Sequence, residues 1–237
     1  MDRILIATDF DPVSHHAAVF GTALANACGA KVILCNAFNP PLPVASADDQ
    51  QEHYEQMLRA DALLLKEAAE IDPEKKCVEI LCDEGDVPEA IMEMANQEHA
   101  DLIITGLRPH ITTPLSPHKS TAAALAEATR KPLLMVPEGA VLGSGRTGLF
   151  IHTSFSGGIK NIVERLSDAA SWFDGSIPVY KEGEDLAAPA DKPALLLHLI
   201  KKYRPDCVLM IDPGQLWLTA FCEYGRLPLM VLPKNHF

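Results

Sequence analysis

EGDVPEAIMEMANQEHADLIITG, from Glu84 to Gly106, is the stretch on which the fold turns. Gly85 and Asp86 make a turn, and the Asp86 carboxylate is placed to cap the free amides of a helix while Glu89, three residues on, completes a capping box. Ala90, Ile91, Met94 and Ala95 then recur at helical spacing. Leu102 to Thr105 follows as an unbroken apolar run, the pattern of a strand covered by helices on both faces. A capped helix feeding a doubly covered strand belongs to a βαβ crossover, and so to an α/β protein with a parallel sheet.

Outward from this stretch the same alternation continues. Strands are expected at Ile4 to Thr8, Lys31 to Ala37, Cys77 to Cys82 and Leu133 to Val136. A helix over Ser14 to Cys28 sets Ala17, Phe20, Leu24 and Ala27 on its core face and stops at Gly29. A second, Gln50 to Ala69, is expected to bury Leu58, Ala62, Leu65 and Ala69. A fourth, Ser120 to Thr129, ends ahead of Pro132, which would interrupt any continuation.

Composition narrows the function. Of 237 residues 48% are hydrophobic and the formal charge is -12, which disfavours nucleic acid and anionic membrane because phosphate backbones demand a basic stripe. MDRILIATD reads as a first strand rather than a signal peptide, and no run approaches the ~18 apolar residues of a membrane span. Six cysteines without a CxxC pair are expected to be buried, reduced thiols of a cytoplasmic protein.

The second half echoes the first. RILIATDF at Arg3 to Phe10 aligns with GLFIHTSF at Gly148 to Phe155 at an offset of 145, and Lys31 to Leu34 meets Ser176 to Val179 without a gap. HADLII at His99 to Ile104 faces RPDCVL at Arg204 to Leu209 at an offset of 105, and KPLLMVP at Lys131 to Pro137 faces LPLMVLP at Leu227 to Pro233. The expected organisation is a nearly complete domain over 1–138, a linker over 139–146 and a truncated copy over 147–237 that lacks helix two, strand three and the loop after strand four. Gly143, Gly145 and Gly148 have GxGxxG spacing, but a strand follows them where the dinucleotide fingerprint needs a helix.

The first half resembles the universal stress protein family. ILIATDF resembles its opening strand and acidic turn, Glu84 to Gly106 its Gly-Asp, amphipathic-helix, Ala-Asp-Leu-Ile run, and RKPLLMVP at Arg130 to Pro137 its closing strand. The resemblance implies two open parallel-sheet units in tandem, Rossmann-like and of the adenine nucleotide alpha hydrolase-like kind, with strand order 3-2-1-4-5 in the first and a truncated version in the second. It also implies an intramolecular pseudo-dimer whose closing strands face each other.

Nucleotide-binding members carry GxxG, nine residues, then Gly-Ser or Gly-Thr, because amides cradle phosphates only where no Cβ intervenes. Here Gly106 keeps the first glycine, Pro109 stands at the second and Lys119 at the third, followed by Ser120 and Thr121. The resemblance further assigns Asp9, beside Thr8, to the base or ribose edge and Ala37 to adenine, while Arg108 and Lys119 offer charge in place of the glycines. The function expected is a non-enzymatic stress-response regulator or scaffold with an altered nucleotide pocket, needing no cofactor, acting on a protein partner and pairing as a homodimer of the pseudo-dimer. One alternative is a switch that binds ATP or ADP through Arg108 and Lys119. Another is a small metal-dependent hydrolase using His15, His16, His110 and His118, which lack a strong ligand spacing. No GxSxG elbow, HExxH or P-loop points to catalysis.

Overall fold

The computed structural model describes residues 1–39, 47–74, 78–108, 120–143, 147–152, 173, 177–183, 188–211, 213–224 and 226–233. They form two compact units, Met1–Gly106 and Leu107–Phe237.

Unit 1 runs β1 (Arg3–Ala7), α1 (Pro12–Cys28), β2 (Lys31–Phe38), α2 (Ala47–Ile71), β3 (Val78–Glu84), α3 (Val87–Gln97) and β4 (Leu102–Leu107). Its strands lie in the order β3-β2-β1-β4. All three pairings are parallel, with Ile4 opposite both Val32 and Leu102, and Val32 opposite Val78. Ile4, Leu5, Ile6, Leu34, Leu102 and Ile104 have no exposed surface, as doubly covered strands require.

Capping residues fix the helix starts. Asp11 accepts the Ser14 amide at 2.7 Å with Pro12 in the first turn, and Asp86 accepts the Glu89 amide at 3.4 Å. At Gly29 the chain leaves α1 with φ of 71°, the left-handed exit that favours glycine.

The second helix corrects the sequence reading. Leu58 and Leu65 are 49% and 60% exposed, whereas Ala60, Leu64 and Glu67 are buried. The apolar stripe through the leucines faces solvent, and the buried face carries a glutamate. A buried carboxylate is invisible to an apolar template and signals a polar partner inside.

Unit 2 contains α4 (Thr121–Ala128), β5 (Leu133–Pro137), β6 (Gly148–His152), β7 (Val179–Lys181), α5 (Lys192–Tyr203), β8 (Cys207–Ile211), α6 (Gly214–Tyr224) and β9 (Leu229–Leu232). Its strands lie β5-β9-β8-β6-β7, parallel except that β5 and β9 are antiparallel. Leu134 faces Met230, its own counterpart in the KPLLMVP and LPLMVLP repeat, while Leu133 faces Val231 and Met135 faces Leu229. Leu133 thus meets the counterpart of Met135, and Met135 the counterpart of Leu133, the condition of a two-fold contact. The pairing draws β5 into unit 2, so compactness divides the chain ahead of the expected linker over 139–146. Within that segment Gly143 lies against the Asp206 carboxylate, where a side chain would collide.

Several features recur at the 105-residue offset. Asp86 caps α3 and Asp191 caps α5, each with proline in the first turn. His99 and Arg204 are both left-handed, with φ of 51° and 49°. Asp101 accepts the amides of Asp2 and Arg3 at 2.6 and 3.1 Å, and Asp206 accepts the Thr147 amide and hydroxyl, each at 2.8 Å.

The ladders also shift the sequence alignment by one residue. Ile4 pairs with Leu102 and Gly148 with Cys207, so the counterpart of Ile4 is Gly148, not Leu149, and the β1 to β6 offset is 144. Ile6 pairs with Leu34 and Phe150 with Val179, which keeps the β2 to β7 offset at 145 and so puts a one-residue gap where the sequence alignment had none. A strand slipped by one residue exchanges its faces; because β1 and β6 are apolar on both, their sequences accept either register.

Candidate functional site

Ligands of open parallel sheets bind beyond the carboxyl ends of the strands, where β1 delivers Thr8 and Asp9. Thr8 is buried: its hydroxyl donates to Glu67 Oε2 at 2.8 Å and its carbonyl accepts from Asn36 Nδ2 at 2.7 Å. Asp9 is exposed, with its amide 3.3 Å from Ser14 Oγ and its carboxylate 3.4 Å from the Asp11 amide. Ala37, half-buried, pairs with Asp83 near the end of β2.

Gly106 has a reason of its own. A Cβ there would stand 3.1 Å from the Ser14 nitrogen and from the Val13 carbonyl carbon, a tight fit that the backbone of α1 would have to yield to. Its bareness therefore serves the packing of β4 on the first turn of α1.

In unit 2, Arg108 is exposed just after β4, Ser120 caps α4 by accepting the Ala123 amide at 3.2 Å, and Thr121 is exposed at the start of that helix. Lys119, His110 and His118 lie outside the described residues. Among the described residues no group of three or more His, Cys, Asp and Glu side chains is arranged to hold a metal. No described helix is long and apolar enough to cross a membrane.

Sequence reasoning missed two groups. His53 reaches from α2 to Glu84 at 2.7 Å and sets its ring 6.3 Å from that of Phe38, at the ends of β2 and β3. Glu67 also receives His15 Nδ1 at 3.1 Å, and both border a cavity of about 340 Å³ with Phe10, Asp11, Leu63 and Glu70. The signal for Glu67 was a charge on the very face of α2 that an apolar count rejects.

Unit 2 is built differently at the matching place. The β2 to β7 register sets Glu182 where unit 1 has Ala37, and the helix offset sets Lys192 where unit 1 has Val87. The Lys192 ammonium is ion-paired with Glu182 and lies 5.3 Å from the Trp217 ring centre, while the indole N–H donates to Glu182 Oε2 at 3.4 Å. Burial lowers the pKa of Lys192. Trp217 and Phe221 are both buried, as expected of packing residues.

Among the thiols, Cys28 is exposed, contrary to expectation, while Cys35 and Cys207 are buried. Burial raises all three shifted thiols: Cys35 far up, Cys207 from 9.0 to about 12, and Cys82 to about 11 with help from Asp61 and Asp83.

A parallel sheet ordered 3-2-1-4 with an acidic turn after its first strand defines a Rossmann-like α/β module. The universal stress protein family model matches residues 1–137, more than half of the chain, and the chain belongs to that family. No curated protein matches it. Among solved structures, a universal stress protein from Archaeoglobus fulgidus DSM 4304 superposes with a TM-score of 0.70 at 14% identity, covering 99% of this chain and 97% of that one. A functionally unknown protein from Pseudomonas aeruginosa PAO1 gives 0.52 at 12% identity over 98% and 92%. A hypothetical protein whose biochemical function was assigned from its structure gives 0.50 at 20% identity over 58% of this chain and 96% of its own. At such identities the likeness concerns the fold.

Proposed function

We propose that this chain acts by binding: unit 1 offers an adenine-nucleotide-shaped crevice with an altered phosphate grip, and the whole serves as a non-enzymatic regulator or scaffold of the stress response in the cytoplasm. The observation that carries this is the Asp9 turn. Its carboxylate is exposed at the carboxyl end of β1 while the residues beneath it, Thr8 and Ser14, are buried and hydrogen-bonded. Proline at position 109 removes an amide donor and lysine at 119 a close approach, so the base and ribose edge outlast the phosphate cradle. Isothermal titration with adenosine, AMP and ATP tests the reading. Affinity that Asp9→Ala abolishes and that gains little from added phosphates supports it; absence of binding by all three defeats it.

The second reading is an ATP or ADP switch, favoured by the exposed Arg108 that follows β4. It requires ATP to bind far more tightly than AMP and Arg108→Ala to erase the difference.

The domain reading of 1–138, 139–146 and 147–237 rests on the recurring caps, left-handed residues and Asp101 and Asp206 clamps, which independent descent would not space alike. Strand β7 pairs on one side with β6 and has no partner on the other among the described residues, leaving an edge for a protein partner or a second copy. Light scattering showing monomer at high concentration would remove the homodimer.

A further inference from the structure

The Thr8 hydroxyl has one proton, and Glu67 Oε2 takes it at 2.8 Å. Its oxygen is then free only to accept, which it does from the Phe10 amide at 3.0 Å. Ser14 Oγ lies 3.1 Å from that oxygen, and the single Ser14 proton is shared between Thr8 Oγ1 and the Asp11 carbonyl, also at 3.1 Å. Ser14 Oγ in turn accepts the Asp9 amide at 3.3 Å. Phe10 has φ of 65°, a left-handed conformation that bulky residues avoid and that persists only where surroundings hold it. The hold begins at a single carboxylate on another helix.

We propose that Glu67 is a positioning residue for the Asp9 turn: its carboxylate orients the Thr8 hydroxyl, the hydroxyl oxygen holds the Phe10 amide, and the left-handed Phe10 fixes where Asp9 faces. The inference rests on the reading of that turn as ligand-facing. His15 completes the brace, since its Nδ1–H occupies the other carboxylate oxygen at 3.1 Å. The Glu67 side chain is 6% exposed and that of His15 40%, so the carboxylate is shielded while its imidazole partner reaches the cavity between α1 and α2.

The test uses the full chain with Thr8→Val, Glu67→Ala, Glu67→Gln and the Thr8→Val/Glu67→Ala double variant. Amide hydrogen exchange at Phe10 and Asp9 is compared with Leu34 and Ile103 in the sheet. Loss of either partner is expected to speed Phe10 exchange by about tenfold with the sheet amides unchanged. The double variant should exchange no faster than Thr8→Val, and Glu67→Gln, whose amide oxygen still accepts the Thr8 proton, should restore most of the protection. Phe10 exchange within about twofold of wild type in both single variants, or equal acceleration in the sheet, overturns the proposal. Should Glu67→Ala fail to fold, Thr8→Val and Glu67→Gln decide it. AMP titration separates the two layers: wild type that binds no AMP defeats the nucleotide reading and leaves the exchange result to judge the brace. AMP affinity unchanged in variants whose Phe10 exchange is accelerated overturns the positioning role.

Discussion

Where the second strand of each unit ends, unit 1 has Ala37 and unit 2 has Glu182, and the surroundings of the two ends diverge accordingly. In unit 1 the strand end carries a small, half-buried side chain, and His53 and Glu84 pair with each other to one side. In unit 2 the carboxylate draws in Lys192 and the Trp217 indole, an internal cluster at a place where an open sheet usually receives a ligand. The scaffold beneath is alike in both, down to the aspartates that clamp the strand starts. Buried scaffolds keep their backbone hydrogen bonds because burial makes each one obligatory; the strand ends, which face solvent or ligand, carry no such obligation.

The comparison breaks most easily at the antiparallel seam. Leu134→Ala and Met230→Ala each delete apolar contacts at the centre of the β5 and β9 ladder, and each should cost about 2–5 kcal/mol in denaturant unfolding. Equal costs with a less than additive double variant fit a two-fold contact; a large inequality would mark the symmetry as superficial.

Next comes Glu182→Ala, which leaves a half-buried ammonium and an indole N–H without their carboxylate. We expect a loss of about 1–3 kcal/mol and a shift of tryptophan emission, whereas Ala37→Gly at the matching place of unit 1 should be nearly silent in both measurements.

Alkaline pH should weaken both units through their buried thiols. The folded pKa of Cys207 is raised from 9.0 to about 12 and that of Cys35 is raised further. Their stabilisation is fully present below pH 9 and is lost as pH climbs toward the folded values. Each thiol then contributes a loss of up to about 1.4 kcal/mol per pH unit. Cys35→Ser and Cys207→Ser should flatten the fall in thermal midpoint above pH 9; an unaltered slope would rule out the thiols as its cause.

The smallest effects belong to the matched caps. Asp86→Ala and Asp191→Ala should each cost about 1 kcal/mol, and Asn at either place should recover most of it. Unequal costs would show that α3 and α5 lean on their neighbours to different degrees.

Much of this was legible beforehand. The Asp86 cap, the apolar strands and the Leu134 and Met230 equivalence follow from residue order. What misled was α2, where four apolar residues at helical spacing pointed to solvent and Glu67 pointed inward. A glutamate turns inward only when partners from elsewhere compensate its burial, and the partners Thr8 and His15 lie more than fifty residues away in sequence.

The sequence by itself determined the α/β class and the family, since each is written in local spacing and residue type. Tertiary structure alone decided the one-residue register of β6, the packing role of Gly106, the inward face of α2 and the cluster of Glu182 with Lys192 and Trp217. The physical reason is range: capping and periodicity act within a few residues, whereas register and the pairing of buried charge depend on which distant groups the folded chain brings within hydrogen-bonding distance.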